Sequence, residues 1–291
     1  MDRLWDRRAE TYVNEIASTF SQAKWASPSK GSQRTMARFQ SSLAVCLIST
    51  PCEVLHTCAD DTSVSDALTA NVERYDHVPV VNSAGGIVGV LFRGDCQTPV
   101  LLRRVGDIMR PLNSTTILQS DSCLIDFVRN ADRFPTRLLK DRDAFIGLVT
   151  LADLQKLPVR VVLFAAITQL EMNMAAAIEF AFPATVDWRR LLDRKQDDEL
   201  ENRIGSARHE DHGIKELDHT DFRDKETILS RASMLAEHRE TFKIQIKKIR
   251  RLRNKVAHGN DYAATRGDAN ELPQLIRWID DWTAFLERAC A

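Results

Sequence analysis

The sequence predicts a mixed α+β protein in two parts. A β-α-β-β-α unit occurs twice over residues 45–157, and an all-helical bundle follows over 158–291. Three observations carry this. Short Val/Ile-rich runs alternate with short helical runs in the first part. That order recurs after 58 residues, which takes Gly89 onto Gly147. From Pro158 onward, apolar residues recur at helical spacing and the β-type runs stop. The length of 291 residues suits two domains. A composition 44% hydrophobic and 28% charged excludes a wholly disordered or fibrous chain.

Residues 1–44 read as an N-terminal helical extension through Leu4, Trp5, Tyr12, Ile16 and Phe20, with a loop at Ser27–Gln33. In the first repeat, Glu53–Thr57 is β-type, and Val64–Arg74 has helical spacing through Val64, Leu68 and Val72. His77–Val81 and Ile87–Phe92 then form a hairpin across Ser83–Gly86, where glycine supplies positive φ. The second repeat has Thr115–Leu118 as a strand, Cys123–Ala131 as a helix, and Thr136–Leu139 and Phe145–Thr150 as strands around a polar turn. Each unit is small, so the two are expected to pack face to face. In the helical part, the run from Pro158 to Pro183 holds only Arg160, Glu171 and Glu179 as charges, which predicts a helix buried on nearly every side. A charged stretch at 187–225 precedes helices expected at 226–238, 241–258 and 272–289.

Forty Lys plus Arg against 41 Asp plus Glu exclude a globally basic nucleic-acid binder but not a local basic patch. Six dispersed cysteines without a CxxC pair read as free thiols in a reducing compartment. The charged start has no apolar core of a secretory signal. The most apolar window, Val161–Ile178, is interrupted by Gln169, Glu171 and Asn173, which argues against a membrane span. A cytoplasmic protein with no membrane partner is the expectation.

Gly147-x-x-Thr150-x-x-Asp153 lies where a strand meets a helix. A carboxylate there can accept both hydroxyls of a ribose, while the hydroxyl and helix N–H groups meet a phosphate. Plain helix capping accounts for the same spacing, and both readings stay open on spacing alone. The wider repeat resembles a tandem pair of CBS (cystathionine β-synthase) domains. The resemblance covers residues 45–157 and rests on Asp76–Val81, Gly85–Asp95, Val105–Met109, Phe134–Leu139 and Phe145–Asp153. It implies an adenosine nucleotide (AMP, ADP or ATP) as regulatory ligand, held by Thr150 and Asp153. Arg137 is a further phosphate candidate, with a solvated surface role as its alternative. Asp95 is the equivalent carboxylate of the first repeat, but Phe92 stands where a hydroxyl is needed, so one competent site is expected.

Phe242–Tyr262 is the other informative stretch. Phe242, Ile246, Ile249 and Val256 share a helical face, and seven basic residues crowd the thirteen positions Lys243–Lys255. Asn254 and His258 are neighbours on the helix surface, and Gly259 fits a C-cap. A solvated basic face that offsets the helix dipole explains such a pattern. Arg253–Gly259, RNKVAHG, also resembles the signature of the HEPN (higher eukaryote and prokaryote nucleotide-binding) superfamily, over 158–291. That resemblance implies a homodimer whose two Arg-His pairs form one composite endoribonuclease site, with no metal. Its relatives imply a role in defence and a possible neutralising partner.

In that reading His258 moves the proton as the ribose 2′-OH attacks, leaving a 2′,3′-cyclic phosphate. Arg253 clamps the scissile phosphate and Asn254 positions either group. Lys247, Arg250, Arg251 and Lys255 track the RNA backbone. The alternative is a catalytically inactive dimerisation or RNA-binding platform. His209, His212 and His219 have a spacing that could hold a metal, but a polar loop explains them as well. Glu171, on the long apolar helix, is expected to find a cation, for instance on the motif helix, or to reach solvent.

Overall fold

The computed structural model describes residues 35, 38–208 and 215–290. Most of the expected N-terminal extension lies outside them, as do His209 and His212. The described residues fall into two compact units. One comprises Leu43–Ile167 and Glu240–Trp282; the other holds Thr168–Arg239 and the end of the chain from Thr283.

The first unit contains two four-stranded sheets with the same order. One is β2(Cys58–Ala59), β3(His77–Val81), β4(Ile87–Phe92), β5(Arg110–Pro111). The other is β6(Ile117–Gln119), β7(Thr136–Asp141), β8(Ala144–Thr150), β1(Thr50–Pro51). In each, the first pair is parallel and the next two are antiparallel. The fourth strand of each sheet comes from the stretch leading into the other repeat. Gly89 sits opposite Pro111 and Gly147 opposite Pro51. A Cβ on Gly147 would lie 2.6 Å from the Thr50 carbonyl oxygen, and one on Gly89 2.8 Å from that of Arg110. The repeated glycine therefore serves the same close approach twice. Val90 of one repeat is buried with Leu138 and Leu148 of the other, so the repeats share a core, as their small size requires.

Helix α1(Val64–Ala70) begins at Ser63, whose hydroxyl accepts from the Asp66 amide at 3.1 Å. It ends four residues earlier than expected. The Asn71 side chain bonds both the amide and the carbonyl of Tyr75, and Arg74 takes a φ of +56°. The β-type run expected at Glu53–Thr57 is not a strand: pairing falls on Thr50–Pro51 and Cys58–Ala59, with a 3-10 turn at Cys52–Val54. After the short α2(Val105–Ile108), α3(Leu124–Asn130) repeats the place of α1 in the second half.

The long helix α4(Leu157–Ala181) runs unbroken, as expected from Pro158. It is less enclosed than expected. Val159, Val162, Leu163, Ala166 and Leu170 are buried, but Leu157, Val161, Phe164 and Phe180 are 41–70% exposed. Among the described residues it is the one helix long and apolar enough to cross a membrane, and 56% of its most apolar window is buried. Past α5(Thr185–Arg189), the charged stretch hides a helix, α6(Arg194–Arg208), that buries only Gln196, Leu200 and Ile204. The next, expected at 226–238, is α7(Phe222–Arg231), started four residues earlier by an Asp221–Asp224 capping box. Glu171 pairs with Lys225 of α7 at 3.1 Å, not with the motif helix, and Lys225 also donates to the Thr220 carbonyl at 2.6 Å.

The motif helix is α8(Arg239–Ala257), with Phe242, Ile246, Ile249, Leu252 and Val256 buried. The last, α9(Arg266–Ala289), starts well before the expected residue 272 and carries Pro273 within it. Phe242 and Trp282 pack edge to face at 5.0 Å. Arg129, on α3, pairs with Asp280 at 2.8 Å, and Arg277 pairs with Asp132 at 2.7 Å. These ties bind α9 to the second repeat inside the same compact unit.

Candidate functional site

A cavity of about 390 Å3 opens beside the end of β8. That volume lies within the range of small-molecule sites. Its walls include His56 from the linker after β1, Tyr75–His77 leading into β3, Thr150–Asp153, and Ala263–Arg266 at the start of α9. Thr150 and Asp153 are thus brought to a cavity, and they also cap the 3-10 turn Leu151–Gln155. The Thr150 amide donates to Asp153 Oδ2 at 2.6 Å, and the Thr150 hydroxyl accepts from the Ala152 amide at 3.2 Å. The capping reading of the spacing is thus seen directly, in residues that also line the cavity. Asp153 is 5% exposed, and its Oδ1 meets Lys156 Nζ at 2.6 Å. A carboxylate has about four lone-pair sites, so this one retains capacity for a hydroxyl.

The imidazoles of His56 and His77 line the same space. His56 Nε2 is buried with no hydrogen-bond partner among the described residues. Burial pushes His77 down to about 4, beyond what the nearby Asp76 carboxylate restores. His77 is neutral at pH 7 and packs edge-on to Phe92 at 4.5 Å.

Two other sequence candidates lie elsewhere. Arg137 Nη2 donates to the carbonyls of Ser114 at 2.9 Å and Ile117 at 2.6 Å, and the side chain is not in the cavity wall. It is neither a cavity residue nor a freely solvated arginine. Desolvation lowers its pKa, and its Nε has no partner among the described residues. Asp95 is held by Arg110 at 2.9 Å, and that guanidinium stacks 3.6 Å over Phe92. The position lacking a hydroxyl is thus filled by an aromatic–cation stack.

On α8, the buried stripe turns the basic residues outward. Lys247, Arg251, Asn254 and His258 are exposed, and Arg250 and Arg253 are partly so. Arg253, Asn254 and His258 make no side-chain hydrogen bond or ion pair among the described residues. Lys255 is engaged by Asp268 at 3.5 Å. The helix ends as its sequence predicts. Gly259 takes a φ of +73°, and the Asn260 amide donates to the Lys255 carbonyl at 2.9 Å, the six-to-one bond of a Schellman turn.

What the sequence did not signal is how that helix end is held. Arg160, in the first turns of α4, donates to the carbonyls of Lys255 (3.1 Å), Val256 (3.0 Å) and Asn260 (2.9 Å). It also stacks 5.0 Å over Tyr262. Gln155 Oε1 accepts from the amides of Tyr262 at 3.1 Å and Ala263 at 2.8 Å. The Tyr262 hydroxyl donates to the Leu154 carbonyl at 2.8 Å, and burial raises its pKa. The turn that carries Asp153 is thus latched to the loop that follows His258. Among the described residues no group of three His, Cys, Asp or Glu is placed to hold a metal ion, and His219 has no such companions there.

The geometry is that of a cavity beside a repeated α/β module. The CBS domain family matches residues 49–97, so a CBS domain occupies the first repeat. No curated protein matches the chain. Among solved structures, the chain is similar to the CBS domain of a bacterial CNNM/CorC family Mg2+ transporter in complex with ATP. That match is 22% identical, covers 46% of this chain and 97% of that one, and has a TM-score of 0.36. CBSX2 in complex with AMP is 27% identical, with 38% and 91% covered and a TM-score of 0.34. CBS domains of a transcriptional regulator from Streptococcus pneumoniae are 20% identical, with 37% and 92% covered and a TM-score of 0.30.

Proposed function

We propose that the chain is a cytoplasmic adenosine-nucleotide sensor whose output is RNA cleavage by a dimer. The observation that carries the sensing part is the cavity. It combines the Thr150–Asp153 motif, the His56 and His77 imidazoles and apolar walls around a volume of small-molecule size. CBS domains commonly bind adenosine nucleotides, and the domain at 49–97 supports the same role here. In this reading Thr150 and the turn it caps face phosphate, while Asp153 takes a ribose hydroxyl.

The nuclease part rests on the HEPN resemblance and on the outward face of α8. Arg253, Asn254 and His258 have no intramolecular partners among the described residues to explain them. Lys247 and Arg251 extend the exposed basic surface along the helix. His258 accepts the 2′-OH proton as the 2′-oxygen bonds to phosphorus, the P–O5′ bond breaks, and the 5′-oxygen leaves as a 5′-OH protonated by His258 of the second copy or by water; Arg253 holds the phosphate, and no step uses a metal. The exposed apolar residues Leu157, Val161 and Phe164 recur at helical spacing and suit contact with a second copy.

The second reading, an RNA-binding platform without catalysis, is favoured by His258 lying open at a helix end without a companion base. Cleavage of mixed RNA by wild type, Arg253→Ala and His258→Ala, with and without AMP or ATP, separates the two. Cyclic-phosphate products lost in both variants support the nuclease; equal activity in all three proteins dismisses it.

A further inference from the structure

The cavity is not built from the CBS repeats alone. Ala263, Ala264, Thr265, Arg266 and Ala269 form one of its walls, from the loop after the Arg-His motif and the first turn of α9. Of the ionisable side chains around the space, Asp76 and Asp153 are acids, and among the described residues Arg266 is the one Lys or Arg in the wall. Lys156, which neutralises Asp153, is not part of the wall.

Arg266 is weakly committed. Its nearest ionic partner is Asp76, at 3.7 Å through a single nitrogen, and both side chains are more than half exposed. Such a pair contributes little and exchanges readily. A phosphate offers the guanidinium a planar, two-bond match that this carboxylate contact does not make. The residue also stands at the first position of a 24-residue helix capped by Thr265, whose hydroxyl accepts from the Asp268 amide at 3.1 Å.

We propose that Arg266, outside the CBS repeats, is the cation that recognises phosphate in this cavity alongside Thr150, and that the site takes a nucleoside monophosphate. One guanidinium among two carboxylates matches one phosphate. Each further phosphate brings charge toward Asp76 and Asp153 without another cation in the wall. This rests on the nucleotide reading above, and the test separates the two.

Calorimetry on the full chain compares adenosine, AMP, ATP and inorganic phosphate, for wild type, Arg266→Ala and Arg266→Lys. Wild type is expected to bind AMP more tightly than adenosine by about 10- to 100-fold, the worth of one charge-assisted contact. Arg266→Ala should remove most of the AMP advantage over adenosine, with the remainder left to Thr150, and leave adenosine unchanged. Arg266→Lys should fall between, since it keeps the charge and loses the fork. Because the side chain is 76% exposed, melting temperatures should agree among the three proteins. Unchanged AMP affinity in Arg266→Ala overturns the assignment while leaving the nucleotide site in place. ATP bound tenfold more tightly than AMP overturns the monophosphate preference. Wild type that binds phosphate but neither adenosine nor AMP overturns the nucleotide reading and this inference with it.

Discussion

Replacing Arg160 with Met tests whether the end of the motif helix is held in place by the start of α4. Met keeps the apolar stem and removes three hydrogen bonds, to the carbonyls of Lys255, Val256 and Asn260. A bond from a charged donor contributes about 1.5–3 kcal/mol, but three bonds from one guanidinium do not add. The Lys255 carbonyl also keeps its bond from the Asn260 amide, and Asn260 is exposed, so water replaces part of the loss. Stacking over Tyr262 contributes about another 0.5–1 kcal/mol. The net expectation is a loss of about 2–4 kcal/mol, which corresponds to a fall in Tm of roughly 5–15 °C. Thermal melting reads the total, and amide exchange over residues 255–263 reads where it falls. Arg160→Lys should recover less than half, since one ammonium cannot span three carbonyls. A loss below about 0.5 kcal/mol, with exchange unchanged in that segment, would refute the latch.

Gly147→Ala sets a Cβ 2.6 Å from the Thr50 carbonyl oxygen, a backbone atom that cannot rotate away, and should cost about 2–4 kcal/mol by denaturant titration. Gly86→Ala meets nothing closer than 3.5 Å and should cost under about 1 kcal/mol. His77 is held down to about 4 in the folded state, so the unfolded chain takes up its proton first as pH falls below its usual 6.5. Stability from this group is present above pH 6.5 and drains away toward pH 4, by up to about 3 kcal/mol. His77→Gln should flatten that part of a pH–stability curve. Lys225→Met strands the Glu171 carboxylate and the Thr220 carbonyl and should cost about 3 kcal/mol in a chemical melt. Adding Glu171→Leu should recover most of it.

The hairpins and helices with strong periodicity were legible because their signals are local. Gly85 takes its positive φ between β3 and β4, and Gly259 ends α8 as its position indicates. The spacing of Thr150 and Asp153 pointed to a strand–helix junction but could not separate capping from ligand binding, because both uses call on the same side-chain oxygens. Strands β1 and β5 were not legible. Each is two residues long, contains a proline, and is defined only by a distant partner. Helix α6 was missed because its buried positions are three, one of them Gln196, among charged neighbours. The places of Arg160 and Arg266 depend on a helix end folding back against the repeats, which no local pattern encodes.

The crossing of Thr50–Pro51 and Arg110–Pro111 between the two sheets bears on how the chain emerges from the ribosome. Thr50 pairs with Leu148, about a hundred residues later, so one edge waits while the intervening chain is made. At about 5–20 residues per second that wait is roughly 5–20 s. An excised fragment of residues 49–97 would carry an orphaned leading edge and lack its own closing strand, so the two modules are best expressed as one piece.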